Sequence, residues 1–162
     1  MKHLLLLAGS LGFAACGGGD DGPDGPSCGT LGTAELTGTV MGTQVTPVQR
    51  AHLVPTGSNY QIVIDEVAGV RCGDPGLTGE HLVLLFCDKP TATTYPVVGE
   101  STFECPGTNS YAALERSGGT EYAKATGGSI TIDEVAGCVL GSYELTFGAE
   151  TLSGSFDAVA CQ

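Results

Sequence analysis

The 162-residue chain has no tryptophan, only six Lys or Arg, and no apolar run long enough to cross a bilayer as a helix. Against eighteen Asp or Glu, the six basic residues leave a formal net charge of −12. That balance offers no positive footprint for phosphates and excludes nucleic acid as a partner. Cys-x-x-Cys is absent and histidines number three, which argues against zinc and thiol-redox chemistry. No Gly-x-Ser-x-Gly elbow, His-Glu-x-x-His, Walker loop or dinucleotide Gly-x-Gly-x-x-Gly before a helix occurs. Glycosidase-type catalysis needs two placed carboxylates and usually aromatic platforms for sugar, and five tyrosines without tryptophan supply few. A serine triad assembled from distant positions would have to draw on His52 or His81. His52, after Arg50-Ala51, reads as a surface strand residue. His81 opens the most apolar segment and reads as a packed or edge histidine. The expectation is a chain with no catalytic residue.

What is present begins with an address. Met1-Lys2-His3 is a short positive start, followed by the apolar run from Leu4 to Ala15, the layout of a secretory signal. Its end, Phe13-Ala14-Ala15-Cys16, resembles the lipobox of bacterial lipoproteins. That resemblance implies cleavage after residue 15 and a lipidated Cys16 as the new N-terminus. Two or three acyl chains together form a stable membrane anchor where one does not. Residues 16–27 continue as a Gly/Asp/Pro stretch with little to bury, a tether. Its Asp20, Asp21 and Asp24 do not form a calcium loop, since Leu31 stands where the closing Glu belongs. Residues 28–162 are left as one domain. The expected location is the bacterial cell envelope, the outer rather than the inner membrane, with the membrane as partner through the lipid.

Beyond Cys16, six cysteines remain: Cys28, Cys72, Cys87, Cys105, Cys138 and Cys161. An even count in an exported chain reads as up to three disulfides. The Cys72-to-Cys87 spacing suits a local bridge around the turn-rich Gly73-Asp74-Pro75-Gly76. Cys138 and Cys161 bracket a hairpin-like stretch and are expected to lie nearly opposite. Cys28 with Cys105 is then the remainder.

From Leu31 onward no stretch carries apolar residues at helical spacing. Alternation appears instead, at Leu36, Gly38 and Val40, at Ile62 and Ile64, at Ile130 and Ile132, and at Tyr143, Leu145 and Phe147. Side chains two apart share one face of a strand. His81–Cys87 (HLVLLFC) is continuously apolar and reads as a strand buried on both sides. Residues 129–135, 139–147 and 151–160 read as a three-stranded meander. The fold expected is all-β: a single antiparallel β-sandwich, or partly open barrel, of about eight to ten short strands with no substantial helix after the signal.

One segment recurs. Ile62-Val-Ile-Asp-Glu-Val-Ala-Gly69 returns as Ile130-Thr-Ile-Asp-Glu-Val-Ala-Gly137, and Leu82–Phe86 loosely answers Tyr143–Phe147. A duplicated half-domain and convergence on one strand-then-turn sequence both account for it. The paired carboxylates Asp65/Glu66 and Asp133/Glu134 are weak calcium candidates, because calcium takes oxygen ligands in flexible geometry. Acids where a strand leaves a sheet are more often solvated, and no cofactor is expected.

The succession Leu36-Thr-Gly-Thr-Val40, Thr94-Tyr-Pro-Val97, Gly127-Gly-Ser-Ile-Thr-Ile132, Gly141-Ser-Tyr-Glu-Leu-Thr-Phe147 and Leu152-Ser-Gly-Ser-Phe-Asp-Ala158 resembles a group of small uncharacterised bacterial lipoproteins. They carry a signal, a Gly/Asp/Ser tether and a β-rich domain. The resemblance implies fold and location and brings no catalytic residue. The expected role is a non-enzymatic binding or structural module with a protein or glycan partner. A calcium-dependent or small-ligand and glycan binder is the alternative, and a hydrolase with a dispersed triad is the third reading.

Overall fold

The computed structural model describes residues 32–66, 79–116 and 121–160. Eleven strands among them belong to one sheet. In chain order they are β1 Thr33–Val40, β2 Thr43–Gln44, β3 Val48–Thr56, β4 Asn59–Asp65, β5 His81–Phe86, β6 Thr94–Pro96, β7 Ser110–Arg116, β8 Glu121–Lys124, β9 Gly127–Ala136, β10 Cys138–Phe147 and β11 Glu150–Ala160. One turn of 3-10 helix, Glu100–Thr102, is the only helical element described. No helix among the described residues is long and apolar enough to cross a membrane.

The spatial order is β6-β9-β10-β11-β1-β3-β4-β5-β7-β8, with β2 paired to β1. Neighbours are antiparallel, except that the end of β11 also runs parallel to β3 at Val159–His52 and Ala160–Leu53. The sheet curls into a half-barrel, the more open of the two expected architectures. Its two ends approach each other. Val97, just past β6, bridges Ser110 of β7, and Val98 N–H donates to Ser110 O. Ala125 N–H still bonds Ala112 O on β7 while Thr126 N–H bonds Thr146 O on β10, so a single residue step crosses from one end of the sheet to the other.

Alternation accounts for the core. Leu36, Ile62, Ile64, Leu82, Leu84, Leu114, Ile130, Ile132, Leu145 and Leu152 all face inward and are fully buried, each worth about 1.5–3 kcal/mol of burial. Curling the sheet this tightly requires backbones to crowd on the concave side. Gly154 has no room for a side chain, because a Cβ there would lie 2.0 Å from Glu35 O and 2.6 Å from the Tyr143 hydroxyl. Gly141 likewise makes space for the Phe156 ring, which stacks on Tyr143 at 6.3 Å. Where a non-glycine takes a left-handed conformation, at Met41 (φ 56°) in the β1–β2 turn, the Glu150 carboxylate accepts both turn N–H groups, Met41 at 2.6 Å and Gly42 at 2.8 Å.

The expected meander is present as β9, β10 and β11, and the HLVLLF segment as β5 in the sheet interior. Two disulfide expectations are corrected. Cys87 pairs with Cys105, not with Cys72, and Cys105 is therefore not the partner of Cys28. The reason lies in strand adjacency: Phe86 and Ser110 sit opposite each other on β5 and β7, so the excursion joining them begins and ends at one place. Cys87 and Cys105 lie within that excursion with Cα atoms 5.3 Å apart. Cys138 is also disulfide-bonded. Its expected partner Cys161, together with Cys16, Cys28, Cys72 and the expected signal and tether, falls outside the described residues.

Candidate functional site

Outward positions of β6, β9, β10, β11 and β1 are set by the same alternation that builds the core, and nearly all carry hydroxyls or carboxylates. Two rows cross the five strands: Thr94–Thr131–Ser142–Ser155–Glu35, and Pro96–Ser129–Glu144–Ser153–Thr37. Ser142, Glu144, Ser153, Ser155, Glu35 and Thr37 are exposed, and Ser129 and Thr131 half-buried. Thr94 and Thr131 share a hydrogen bond at 3.0 Å. Among the described residues the side chains of Ser129, Ser142, Ser153, Ser155, Glu35 and Glu144 make no hydrogen bond or ion pair. No Lys or Arg occurs in these five strands. Shallow hollows follow the rows. One of about 360 Å³ is lined by Ser129, Ser142, Glu144 and Ser153, and a neighbour of about 350 Å³ by Thr146 and Thr151. A third, of about 180 Å³, lies between Thr33, Glu35, Ser155 and Asp157; the Asp157 Oδ1 is buried without a partner.

The convex side of β3, β4, β5 and β7 is different. A row of ionisable side chains runs Arg50–Asp65–His81–Glu115, ending at Tyr122 on β8. His81 Nε2 lies 3.2 Å from Glu115 Oε2 and Nδ1 3.2 Å from Gly79 O. His52 is not the surface residue its sequence context suggests: it is 4% exposed, and neither ring nitrogen has a hydrogen-bond partner. Burial lowers its pKa, the Asp65 carboxylate partly opposes this, and Arg50 adds to it. Each histidine thus has an acid nearby, but among the described residues no serine or threonine hydroxyl bonds to either ring. The hydroxyl nucleophile that a triad requires is therefore not placed beside either ring among the described residues.

A third cluster closes the inside of the half-barrel. Gln49, Glu66, Glu80 and Arg116 occupy successive inward positions at the ends of β3, β4, β5 and β7. Arg116 Nε donates to Glu80 Oε2 at 2.5 Å, and its other nitrogens donate to Val40 O and Thr43 O. Glu80 Oε1 accepts from Thr46 N–H and Gln49 Nε2, while Glu66 accepts from Glu80 N–H and the Thr46 hydroxyl. Sequence reading named neither Glu80 nor Arg116. The available signal was parity: Arg116 is two positions beyond the inward Leu114.

The calcium candidates do not act together. Asp65 is fully buried on the convex face and Glu66 is engaged in the internal cluster. Asp133 is exposed at the irregularity where β9 pairs β10, and Glu134 faces Leu140. Four strands separate β4 from β9 in the sheet. Among the described residues no group of three His, Cys, Asp or Glu is placed to hold a metal ion.

No family model, no curated protein and no solved structure matches this chain.

Proposed function

We propose that the chain is a cell-envelope lipoprotein, anchored through Cys16 in the outer membrane, whose β-domain serves as a non-enzymatic binding module. The observation that carries the binding role is the outer face of β6, β9, β10, β11 and β1: hydroxyls and carboxylates, most of them exposed and without a partner among the described residues, arranged in register over three adjoining hollows. The anchoring role rests on the lipobox-like Phe13–Cys16 and the Gly/Asp/Pro residues after it. Among the described residues no hydroxyl bonds to the ring of either histidine, so the two histidine–acid pairs add nothing to the dispersed-triad reading.

Anchoring is tested by expressing the full chain and its Cys16→Ala variant in a Gram-negative host supplied with labelled palmitate. Wild type is expected to take up label and sediment with outer membranes, and the variant to do neither. Equal labelling, or a wild type recovered wholly in the soluble fraction, overturns the anchor.

A further inference from the structure

We infer that the outer face of β6, β9, β10, β11 and β1 binds a polyhydroxylated glycan carrying free amino groups. The inference deepens the binding role proposed above and rests on it, but not on the lipid anchor.

Hydroxyl groups of Ser and Thr both donate and accept hydrogen bonds, as sugar hydroxyls do. Here they recur at the spacing of a sheet, about 4.8 Å between strands and about 7 Å between alternate residues, so successive units of an extended sugar chain meet the same chemistry. The hollows are shallow and adjoining rather than one enclosed cleft, which suits a polymer lying across the face. Each row also holds one carboxylate, Glu144 in one and Glu35 in the other. With no basic side chain in the five strands, neither is neutralised from within. Asp157 lines the same hollow as Glu35 and adds a third carboxylate there. Ammonium groups on a glycan would meet these acceptors in charge-assisted hydrogen bonds, whereas a uronate polymer would be repelled. The outward positions of both rows carry no aromatic ring, methionine or arginine, the residues that anchor protein interfaces. That composition favours a glycan over a protein partner. Without a stacking platform each contact is weak, and many chains displayed together would supply the avidity.

The test titrates full-length protein with three hexasaccharides: β-1,4-linked glucosamine, its fully N-acetylated form, and galacturonate. The glucosamine hexamer is expected to bind about tenfold tighter than the acetylated one or better, to weaken as salt is raised, and galacturonate to give no signal. Because a chain of net charge −12 attracts any polycation, the decisive comparison is between two double variants that remove the same charge. Glu35→Gln with Glu144→Gln should weaken glucosamine binding by about tenfold or more. Glu104→Gln with Glu121→Gln, both exposed and off this face, should change it by less than about twofold. Equal losses in the two doubles, equal binding of the acetylated hexamer, or no binding by a folded protein overturns the inference. Failure here with membrane sedimentation intact leaves the anchor standing. A soluble wild type that still binds the glucosamine hexamer in this residue-specific way overturns the anchor alone.

Discussion

Arg116 on β7 and Glu80, the residue before β5, form an ion pair at 2.5 Å inside the half-barrel, with both side chains less than a tenth exposed. The pair is also the hub of the internal cluster. Arg116 satisfies the carbonyls of Val40 and Thr43, and Glu80 satisfies Thr46 N–H and Gln49. It thereby ties the β1–β2 turn region to the strands on the other side of the sheet.

Removing one partner leaves a buried charge without compensation, which costs about 3–5 kcal/mol. Arg116→Met is therefore expected to lower the urea-unfolding free energy by that amount. Adding Glu80→Gln, which keeps an acceptor oxygen for Thr46 N–H, should restore part of the loss. If the double variant is as unstable as the sum of both single changes, the two residues are not coupled and the ion pair is not the hub.

The Cys87–Cys105 bridge closes a loop of eighteen residues' separation. In the chain-entropy account such a loop stabilises the native state by about 3 kcal/mol. Replacing both cysteines with alanine should reduce stability by that order. A non-reducing peptide map checks the connectivity directly: one fragment should join the Cys87 and Cys105 peptides. A fragment joining Cys72 to Cys87 would restore the pairing expected from sequence spacing and contradict the fold's β5–β7 excursion.

Those elements whose reason is local were legible in the sequence. The β9–β10–β11 meander and β5 follow from alternation and turn residues within a few positions of each other. What was not legible depends on distant partners. The repeated Ile-x-Ile-Asp-Glu-Val-Ala-Gly segment places Asp65 and Asp133 identically in sequence, yet Asp65 is fully buried and Asp133 exposed. Asp65 lies between β3 and β5, opposite Arg50 and His81, whereas Asp133 sits where the β9–β10 register slips. His52 is buried for a similar reason, since β11 returns from far along the chain to pair beside it. The proposed binding face was hidden in another way: Ser and Thr residues scattered over five strands mean little until register brings them into rows.

The curl makes a sharper claim about glycine. A Cβ at Gly154 would meet backbone oxygen of Glu35 at 2.0 Å, in the middle of a paired strand that cannot step aside. Gly154→Ala is expected to cost about 3 kcal/mol by overpacking. Gly57, in the β3–β4 turn with φ 63° and nothing within 4 Å of its missing Cβ, should cost only about 1–2 kcal/mol on conversion to alanine. Comparable unfolding midpoints for the two variants would show that the strands have room to spread, and that the curl does not depend on a bare backbone at this position.

His52 makes stability depend on pH in a definite direction. Its native pKa is lowered below the usual 6.5, chiefly by burial, with Asp65 opposing and Arg50 reinforcing the effect. Above pH 6.5 the ring is neutral in folded and unfolded chains alike, and its contribution is complete. As pH falls from there toward the lowered native value, the unfolded chain takes up the proton first, so stability declines over that window. Thermal unfolding of wild type followed from pH 8 downward should show this decline starting near pH 6.5, before most carboxylates titrate. In His52→Leu the decline over the same window should vanish. At pH 8 the variant should be at least as stable as wild type, because neither ring nitrogen gives up a hydrogen bond. A wild-type profile flat to pH 5, or a variant that still loses stability between pH 6.5 and 5, would assign the acid sensitivity to the carboxylates and take His52 out of the account.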